Sequence, residues 1–323
     1  MKKGKLTYIA ELCQNHLGKF ENIKKMTERC AENGAKVIKL QFIYTKNLTY
    51  RPEFENGIKN KNKIFQIKRP FKAEFQRLKK LEIKFKDYEK FVRLCESLGV
   101  EPSVTCFARE DIKTIKDMGF KTIKVASYDC ASFKMLEELK ENFKHLMVST
   151  GATYDNEISQ ASKILKKNYN FLHCVTIYAT PLSHLHLNRL NFLGKNYGKI
   201  GFSDHSIGFG NLKNLATKIA IYKGASIVER HITILDVNKT KDGAVSILPE
   251  DILEIINFSK FDKSDQKKYL KEKYKFDIRR TFGQQKRVLS HQEILNRNYY
   301  RGRFASFDRK SKRMIYNWEE VKI

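Results

Sequence analysis

KIGFSDHSIG (199–208) is followed by NLKNLATKIAIYKGA (211–225) and then by SIVERHIT (226–233). The first piece is a short β-rich apolar run that ends in Ser203, Asp204 and His205. In the second, Leu212, Leu215, Ile219 and Ile221 lie near helical spacing, and the third is again β-rich and ends in Glu229, Arg230 and His231. Strand, helix, strand is a βαβ unit whose two strands are expected to be parallel neighbours. Both then finish on one edge of a sheet, where two imidazoles and two carboxylates would face one another. That is the donor set of a metal or acid–base site. A single histidine at a strand end is about as often a satisfied structural residue. The same ending on successive strands favours the site.

The pattern repeats toward the N-terminus. Strands are expected over 6–12, 35–43, 101–107, 122–128, 145–151 and 170–178, with helices over 21–33, 86–98, 109–118, 132–142, 155–167, 185–197 and 249–259. Together with the 199–233 unit this makes eight strand-then-helix units. Most of the strands are near-continuous apolar runs, as expected of strands buried on both faces. The expected class is therefore α/β, a (β/α)8 TIM barrel with a short C-terminal appendage. The structural alternative, a doubly wound open sheet, would need a crevice at a switch point, and no glycine-rich phosphate loop follows the first strand. The barrel is assigned to 1–260, a charged, helical linker to 261–280 and a short extension, a reduced form of an appended domain, to 281–323. Residues 44–84, rich in Lys, Asn and Phe, read as a long insertion with little assignable order; such loops are usually functional or mobile.

Of the 323 residues, 41% are hydrophobic, which excludes general disorder. No apolar run reaches the roughly 20 residues that span a bilayer. The start MKKGKLTYIAEL is interrupted by Glu11 too early for a secretory segment, so a cytoplasmic protein is expected. Six scattered cysteines without a C-x-x-C pair read as free thiols, not a disulfide framework. The net charge of +27 would suit a nucleic-acid partner, but the lysines are spread through almost every segment and no nucleic-acid-binding motif accompanies them. A positive field equally suits a small anionic substrate.

In a barrel of this class the site lies at the carboxyl ends of the strands. The residues expected there are Glu11, Gln14, Asn15 and His16; Lys39 and Gln41; Thr105; Lys124, Ser127 and Asp129; Ser149 and Thr150; His173, Thr176 and Tyr178; and Ser203, Asp204, His205, Glu229 and His231. Lys39 and Lys124 interrupt apolar runs, where a charge is costly unless paired. One such lysine is readily a snorkelling side chain. Two on different strands near one mouth point to an anionic ligand. His205 and His231 are the expected ligands of a divalent metal, and two imidazoles with oxygen ligands suit Mn²⁺, Zn²⁺ or Fe²⁺ better than Mg²⁺. Such a metal polarises a carbonyl, while Glu11 or Glu229 moves a proton or orients water.

IAELCQNHLG (9–18), VIKLQF (37–42), TIKVAS (122–127), VSTGA (148–152), LHCVTIYATP (172–181), GFSDHSIG (201–208) and GASIVERHIT (224–233) occur in the same order as in the sialic acid (N-acetylneuraminate) synthase family, which includes pseudaminic and legionaminic acid synthases. The chain resembles that family over about residues 6–260. The resemblance implies a metal-dependent barrel that condenses phosphoenolpyruvate with an open-chain N-acyl amino sugar, giving a nonulosonic acid and phosphate. It implies Mn²⁺ first, with Mg²⁺, Co²⁺ or Zn²⁺ as alternatives, and a homodimer. By motif, His205 and His231 match the metal ligands. Lys39, Thr105, Lys124, Ser127 and Ser149 match the phosphoenolpyruvate-binding set, and Ser203 is grouped with them. Glu11, Glu229 and Asp242 match catalytic carboxylates, and Gln41, Thr176 and Tyr178 positions that hold the sugar.

Three departures stand out. TKDGAVS (240–246) keeps Asp242 and Ser246 but lacks the family's preceding Gly-Pro. Thr176 stands where the family has an amide. The family's antifreeze-like C-terminal domain, whose arginine reaches the partner subunit's site, is here reduced to a tail with YYRGRF (299–304), where Arg301 or Arg303 would stand in. The nearest alternative is a phosphoenolpyruvate–aldose synthase with another acceptor, such as a pentose phosphate. A non-catalytic barrel binding acidic polymer is the alternative of a different class.

Overall fold

Eight parallel strands close on themselves: β1 (Thr7–Glu11), β2 (Val37–Phe42), β3 (Glu101–Cys106), β4 (Thr122–Val125), β5 (His145–Ser149), β6 (Tyr169–His173), β7 (Ile200–Asp204) and β8 (Ile227–Ile232). Each pairs with the one before it, and β1 pairs with β8 from Thr7↔Ile227 to Glu11↔His231, which completes the barrel. The computed structural model describes residues 6–320; the basic start 1–5 and residues 321–323 lie outside them. The 199–233 unit is a parallel pair in register Gly201↔Ile227, Phe202↔Val228 and Ser203↔Glu229, connected through the helix Leu215–Tyr222.

Alternation along each strand explains how apolar-looking runs line a polar mouth. Ile9, Val37, Met147, Leu172 and Ile227 form a small apolar cluster that floors the barrel. Two residues beyond four of them come Glu11, Lys39, Ser149 and Glu229, all lining a cavity at the carboxyl ends. The intervening residues, such as Tyr8, Ala10, Ile38, Leu40 and Phe42, pack in the main core with the helices. The same alternation corrects the expectation for Asp204. Its carboxylate does not line the mouth but pairs with Arg230, both fully buried. Arg230 also donates to Ser206 Oγ (2.9 Å) and to the carbonyls of Ile207 (2.7 Å) and Lys213 (2.8 Å). Removing one partner of a buried ion pair strands the other charge. Arg230→Met is therefore expected to lower the unfolding free energy by about 3–5 kcal/mol, read as a fall in the denaturant midpoint. An unchanged midpoint would show that the pair does not hold the β7–β8 unit.

Two further expectations need correction. β6 ends at His173, so Thr176 and Tyr178 sit in the loop beyond it. Residues 44–84 are ordered: a 3-10 turn (Thr45–Asn47), a helical turn (Glu53–Asn56), a hairpin (Ile58–Asn60 with Lys63–Gln66) and a helix (Phe71–Lys79). The 261–280 connector holds the helix Lys263–Tyr274, which packs on the barrel's helical layer with Leu270 fully buried. Lys218, also buried, donates to the hydroxyls of Tyr269 (3.1 Å) and Tyr274 (3.0 Å) from inside that layer.

The tail forms the helix His291–Tyr300 and the hairpin Ala305–Asp308/Arg313–Tyr316. Ser290 caps the helix, and Glu293 closes a capping box with it. The tail lies on its own barrel. Asn317 Nδ2 donates to Asp129 Oδ1 and the Phe107 carbonyl (both 2.9 Å), and Arg297 donates to the Ala152 carbonyl (2.6 Å) and pairs with Glu157. All six cysteines are free and buried. Among the described residues no helix is long and apolar enough to cross a membrane.

Candidate active site

The cavity at the carboxyl ends has a volume of about 350 Å³. Its deep end is a charge network supplied by strands from all around the barrel. Lys39 Nζ pairs with Glu11, donates to Thr105 Oγ1 (2.9 Å) and lies 3.9 Å from Glu229 Oε2. Lys124 Nζ donates to Ser149 Oγ (2.6 Å) and lies 3.8 Å from Glu229 Oε1. Ser203 Oγ donates to the same Glu229 oxygen at 2.7 Å. Glu229 thus bridges the two amines. Both lysines are almost fully buried, at 2% and 4% exposure. Two buried ammonium groups on one carboxylate bridge are held in position for an incoming anion.

The network tunes its members in opposite directions. Burial opposes ionisation of Glu229, but Lys124, Lys39 and the Ser203 hydroxyl hold its carboxyl down at about 2. Burial pushes the Lys39 amine down to about 7, with Glu229 opposing the fall and Lys124 adding to it. Lys39 in the free protein therefore loses its positive charge as pH rises through about 7. For a reaction that needs that charge to hold an anion, kcat/KM for the anionic substrate is expected to fall from about pH 6 to pH 8. Lys39→Arg, whose guanidinium stays protonated, is expected to flatten the profile. A wild-type profile at saturating Mn²⁺ that coincides with the Lys39→Arg profile would contradict the assignment.

The two imidazoles stand beside this network, with ring centroids 5.2 Å apart, and Tyr178 packs on His205 at 4.4 Å. His205 Nδ1 lies 3.1 Å from the Val175 carbonyl; with a proton on Nδ1, its Nε2 is left to bind metal. Burial lowers the His205 ring, but Cys174, the Val175 carbonyl and Glu229 outweigh it and raise the ring above the usual imidazole range. Metal binding there displaces the second ring proton. His231 Nδ1 is buried without a hydrogen-bond partner. Burial, and then His205, hold His231 well below the usual imidazole range, so its ring is neutral, the form that binds metal. Among the described residues no third His, Cys, Asp or Glu completes a cluster with them.

Glycine explains one motif. A Cβ at Gly151 would meet Cys174 Sγ and Thr176 Cγ2 at 2.7 Å and Ser127 Oγ at 2.9 Å. The glycine of VSTGA thus lets the turn after β5 close against Ser127 and the loop after β6.

Of the expected residues, Glu11, Gln14, Lys39, Gln41, Thr105, Lys124, Ser127, Ser149, Tyr178, Ser203, His205, Glu229, His231 and Asp242 all line the cavity. Others do not. Thr176 is buried beside it, and its carbonyl accepts from Asn296 at 2.7 Å. His173 points into the helical layer, with Nε2 2.7 Å from the Leu185 carbonyl. Asp129 is held by Ser132 and Asn317. Asn15 fastens the Ile232 carbonyl (2.7 Å) and Ser246 Oγ (2.9 Å), and His16 Nδ1 accepts from the Gly18 amide at 3.0 Å. Thr150 bonds the Leu172 carbonyl.

Sequence reading missed Arg69, Tyr128, Lys241 and Asn296 in the lining. Of the two tail arginines only Arg303 lines it; Arg301 lies over Trp318 and 3.9 Å from Glu157.

A barrel that gathers buried amines, carboxylates and imidazoles in one cavity at the carboxyl ends of its strands has the make-up of an enzyme active site. The NeuB family model matches residues 26–266, and the chain belongs to that family. Pseudaminic acid synthase of Campylobacter jejuni subsp. jejuni serotype O:23/36 (strain 81-176) is 27% identical over 98% of this chain and 86% of that protein. Human N-acetylneuraminate-9-phosphate synthase is 24% identical over 77% of this chain and 67% of that protein. Among solved structures, the N-acetylneuraminic acid synthetase of Leptospira borgpetersenii serovar Hardjo-bovis superposes with a TM-score of 0.67 at 22% identity, over 92% of this chain and 91% of that one.

Proposed function

We propose that this protein condenses phosphoenolpyruvate with an open-chain N-acyl amino sugar to give a sialic-acid-like nonulosonic acid and phosphate, in the cytoplasm. The observation that carries the reading is the bridge of Lys39 and Lys124 through Glu229, which places two buried amines beside hydroxyl donors and two imidazoles. Names of relatives across bacteria and animals agree with the class of product.

The chemistry joins C3 of phosphoenolpyruvate to the aldehyde carbon of the sugar. Water adds at C2, the C2–O bond to phosphate breaks, and the former aldehyde oxygen takes a proton. Lys39 and Lys124 hold the anionic groups, and the hydroxyls of Thr105, Ser127 and Ser149 orient them. Glu229 is ionised at neutral pH, so it orients water or accepts a proton. Glu11, paired with Lys39, is the second carboxylate in reach. Gln41, Tyr178 and Asp242, which also line the cavity, would hold the sugar. His205 and His231 would hold a divalent metal, Mn²⁺ first among the candidates, and when bound the metal supplies Lewis-acid polarisation of a carbonyl.

The test is phosphate release from phosphoenolpyruvate with Mn²⁺ and a panel of N-acetyl and N,N′-diacetyl hexosamines. Release with at least one of them is expected. None with any hexosamine, but release with a pentose phosphate, would move the acceptor to the other synthase class. No release with either would overturn the reading.

A further inference from the structure

The loop after β1 and the 44–84 segment meet beside the cavity. A Cβ at Gly18 would lie 2.5 Å from the Lys80 carbonyl oxygen, and the φ of +72° there favours glycine, so the loop closes directly on the end of the helix Phe71–Lys79. That approach sets Gln14 of the loop against Arg77 of the helix. Arg77 is also held from its own helix: Nε and Nη2 donate to the two carboxylate oxygens of Glu74 at 2.9 and 3.0 Å. Burial opposes ionisation of Glu74, but Arg77 and Arg303 hold its carboxyl down at about 2, so this fork is charged at neutral pH. The other arm of the guanidinium, Nη1, donates to Gln14 Oε1 at 2.6 Å, and Gln14 Nε2 faces Gln41 Oε1 at 3.5 Å. Gln14 and Gln41 line the cavity, and Arg77 stands behind them.

A glutamine amide carries an oxygen at one end and an –NH2 group at the other, and its last torsion is broad and roughly two-fold. Rotamer preference therefore does not decide which end faces a ligand; hydrogen-bond partners do. A guanidinium only donates. The end of Gln14 that meets Arg77 must then be the oxygen. Its –NH2 is turned to Gln41, and Gln41 answers with its own oxygen, which leaves the –NH2 of Gln41 for the cavity. The Gln41 backbone is already held, in register with Thr105 on β3 and by the Tyr88 hydroxyl, which donates to the Gln41 carbonyl at 2.8 Å. What the relay sets is the direction of the amide.

We propose that Arg77 and Gln14 are positioning residues for the acceptor: they fix the Gln41 amide so that it meets the sugar as a hydrogen-bond donor. Its partner on the sugar is a carbonyl or hydroxyl oxygen, not an ammonium or another N–H group. That Gln41 meets the sugar rests on the condensation reading above. The direction of its amide rests on Arg77. The ordered 44–84 segment then has a purpose: it carries the guanidinium that sets this direction.

Substitutions at positions 14 and 77 separate direction from mere support. In Gln14→Glu the new carboxylate still accepts from Arg77, so the contact between loop and helix is kept, but it cannot donate. Gln41 must then turn its –NH2 toward position 14 and show its oxygen to the sugar. The KM for the hexosamine that supports phosphate release is expected to rise about tenfold or more, with the KM for phosphoenolpyruvate rising far less. Gln14→Ala leaves the Gln41 amide able to take either direction, and the expected rise is smaller, about threefold. A purely structural role reverses this order, because Glu keeps the Arg77 contact and Ala loses it. Arg77→Met, which leaves Glu74 its pair with Arg303, is expected to behave as Gln14→Ala does. Arg77→Lys, whose ammonium also only donates, is expected to recover part of the loss. In a Gln41→Ala background, Gln14→Glu is expected to add no further rise. An effect of Gln14→Ala equal to or larger than that of Gln14→Glu, or a full effect of Gln14→Glu without Gln41, would overturn the positioning role and leave the condensation reading standing. The same order is read without turnover, from the Kd of each hexosamine of the panel by isothermal titration calorimetry with Mn²⁺ present. A wild-type protein that releases no phosphate but binds a hexosamine with this order among the variants would overturn the condensation reading and support the positioning role. One that binds no hexosamine would overturn both.

Discussion

Lys39→Met is expected to reduce phosphate release by about 10²–10³-fold, the loss that follows removal of one preorganised charge-stabilising group. The reasoning is local. Lys39 Nζ is the shared partner of Glu11, Thr105 and Glu229, so its removal takes away one cation for the anionic substrate and also leaves two buried carboxylates with a single remaining amine. The repulsion between those carboxylates should further oppose binding. The methionine side chain fills much of the lysine's volume, so the barrel is expected to stay folded. A circular-dichroism spectrum like the wild type, together with a loss of at least about a hundredfold, meets the expectation. A loss below about tenfold would mean that Lys39 is structural and that Lys124 holds the anion alone.

His231→Ala is expected to abolish metal retention and turnover together while sparing the fold. His231 lies at the last inward position of β8, its ring is neutral and its Nδ1 has no hydrogen-bond partner to lose. The substitution therefore breaks no hydrogen bond through that nitrogen and leaves a gap facing the cavity instead of the core. Two imidazoles are few ligands, so loss of one should cost most of the affinity. The check is metal content by elemental analysis after dialysis against Mn²⁺, alongside phosphate release. Turnover by the variant in chelator-treated buffer would sink the metal assignment.

Much of this was legible in the sequence because a barrel strand carries two messages at once. VIKLQF reads as an apolar run, yet every second residue, Val37, Lys39 and Gln41, turns inward and becomes more polar toward the mouth. TIKV and IVERHI follow the same rule. Reading polar residues near strand ends was enough to find Lys39, Lys124, Glu229 and His231. The rule fails where parity is ignored. Asp204 and His173 lie near strand ends but do not line the cavity: one neutralises Arg230 and the other bonds a loop carbonyl. Asp129 and Asn15 fail differently. They sit past the strands, where side chains tie loops together, and no periodicity exists to orient them.

The 44–84 segment was opaque for a related reason. Its elements are short, and its hairpin is largely exposed, so no hydrophobic repeat announces them. What orders it is distant in sequence: Glu74 pairs with Arg303, Thr49 donates to the Gly302 carbonyl and Asn47 to the Ala305 carbonyl, Leu48 and Leu78 cluster with Phe304, and Phe54 packs on Tyr299. Such partners lie far apart along the chain and leave no local signature. The tail is too short to bury much core alone, and it gains its order from the mouth it covers.

The most direct measurement is a crystal structure of the protein soaked with phosphoenolpyruvate and Mn²⁺, with anomalous diffraction locating the metal. The account predicts phosphoenolpyruvate at the deep end of the cavity, in contact with Lys39 and Lys124, and Mn²⁺ bound by His205 and His231. Phosphoenolpyruvate bound elsewhere, or metal held by neither imidazole, would contradict it.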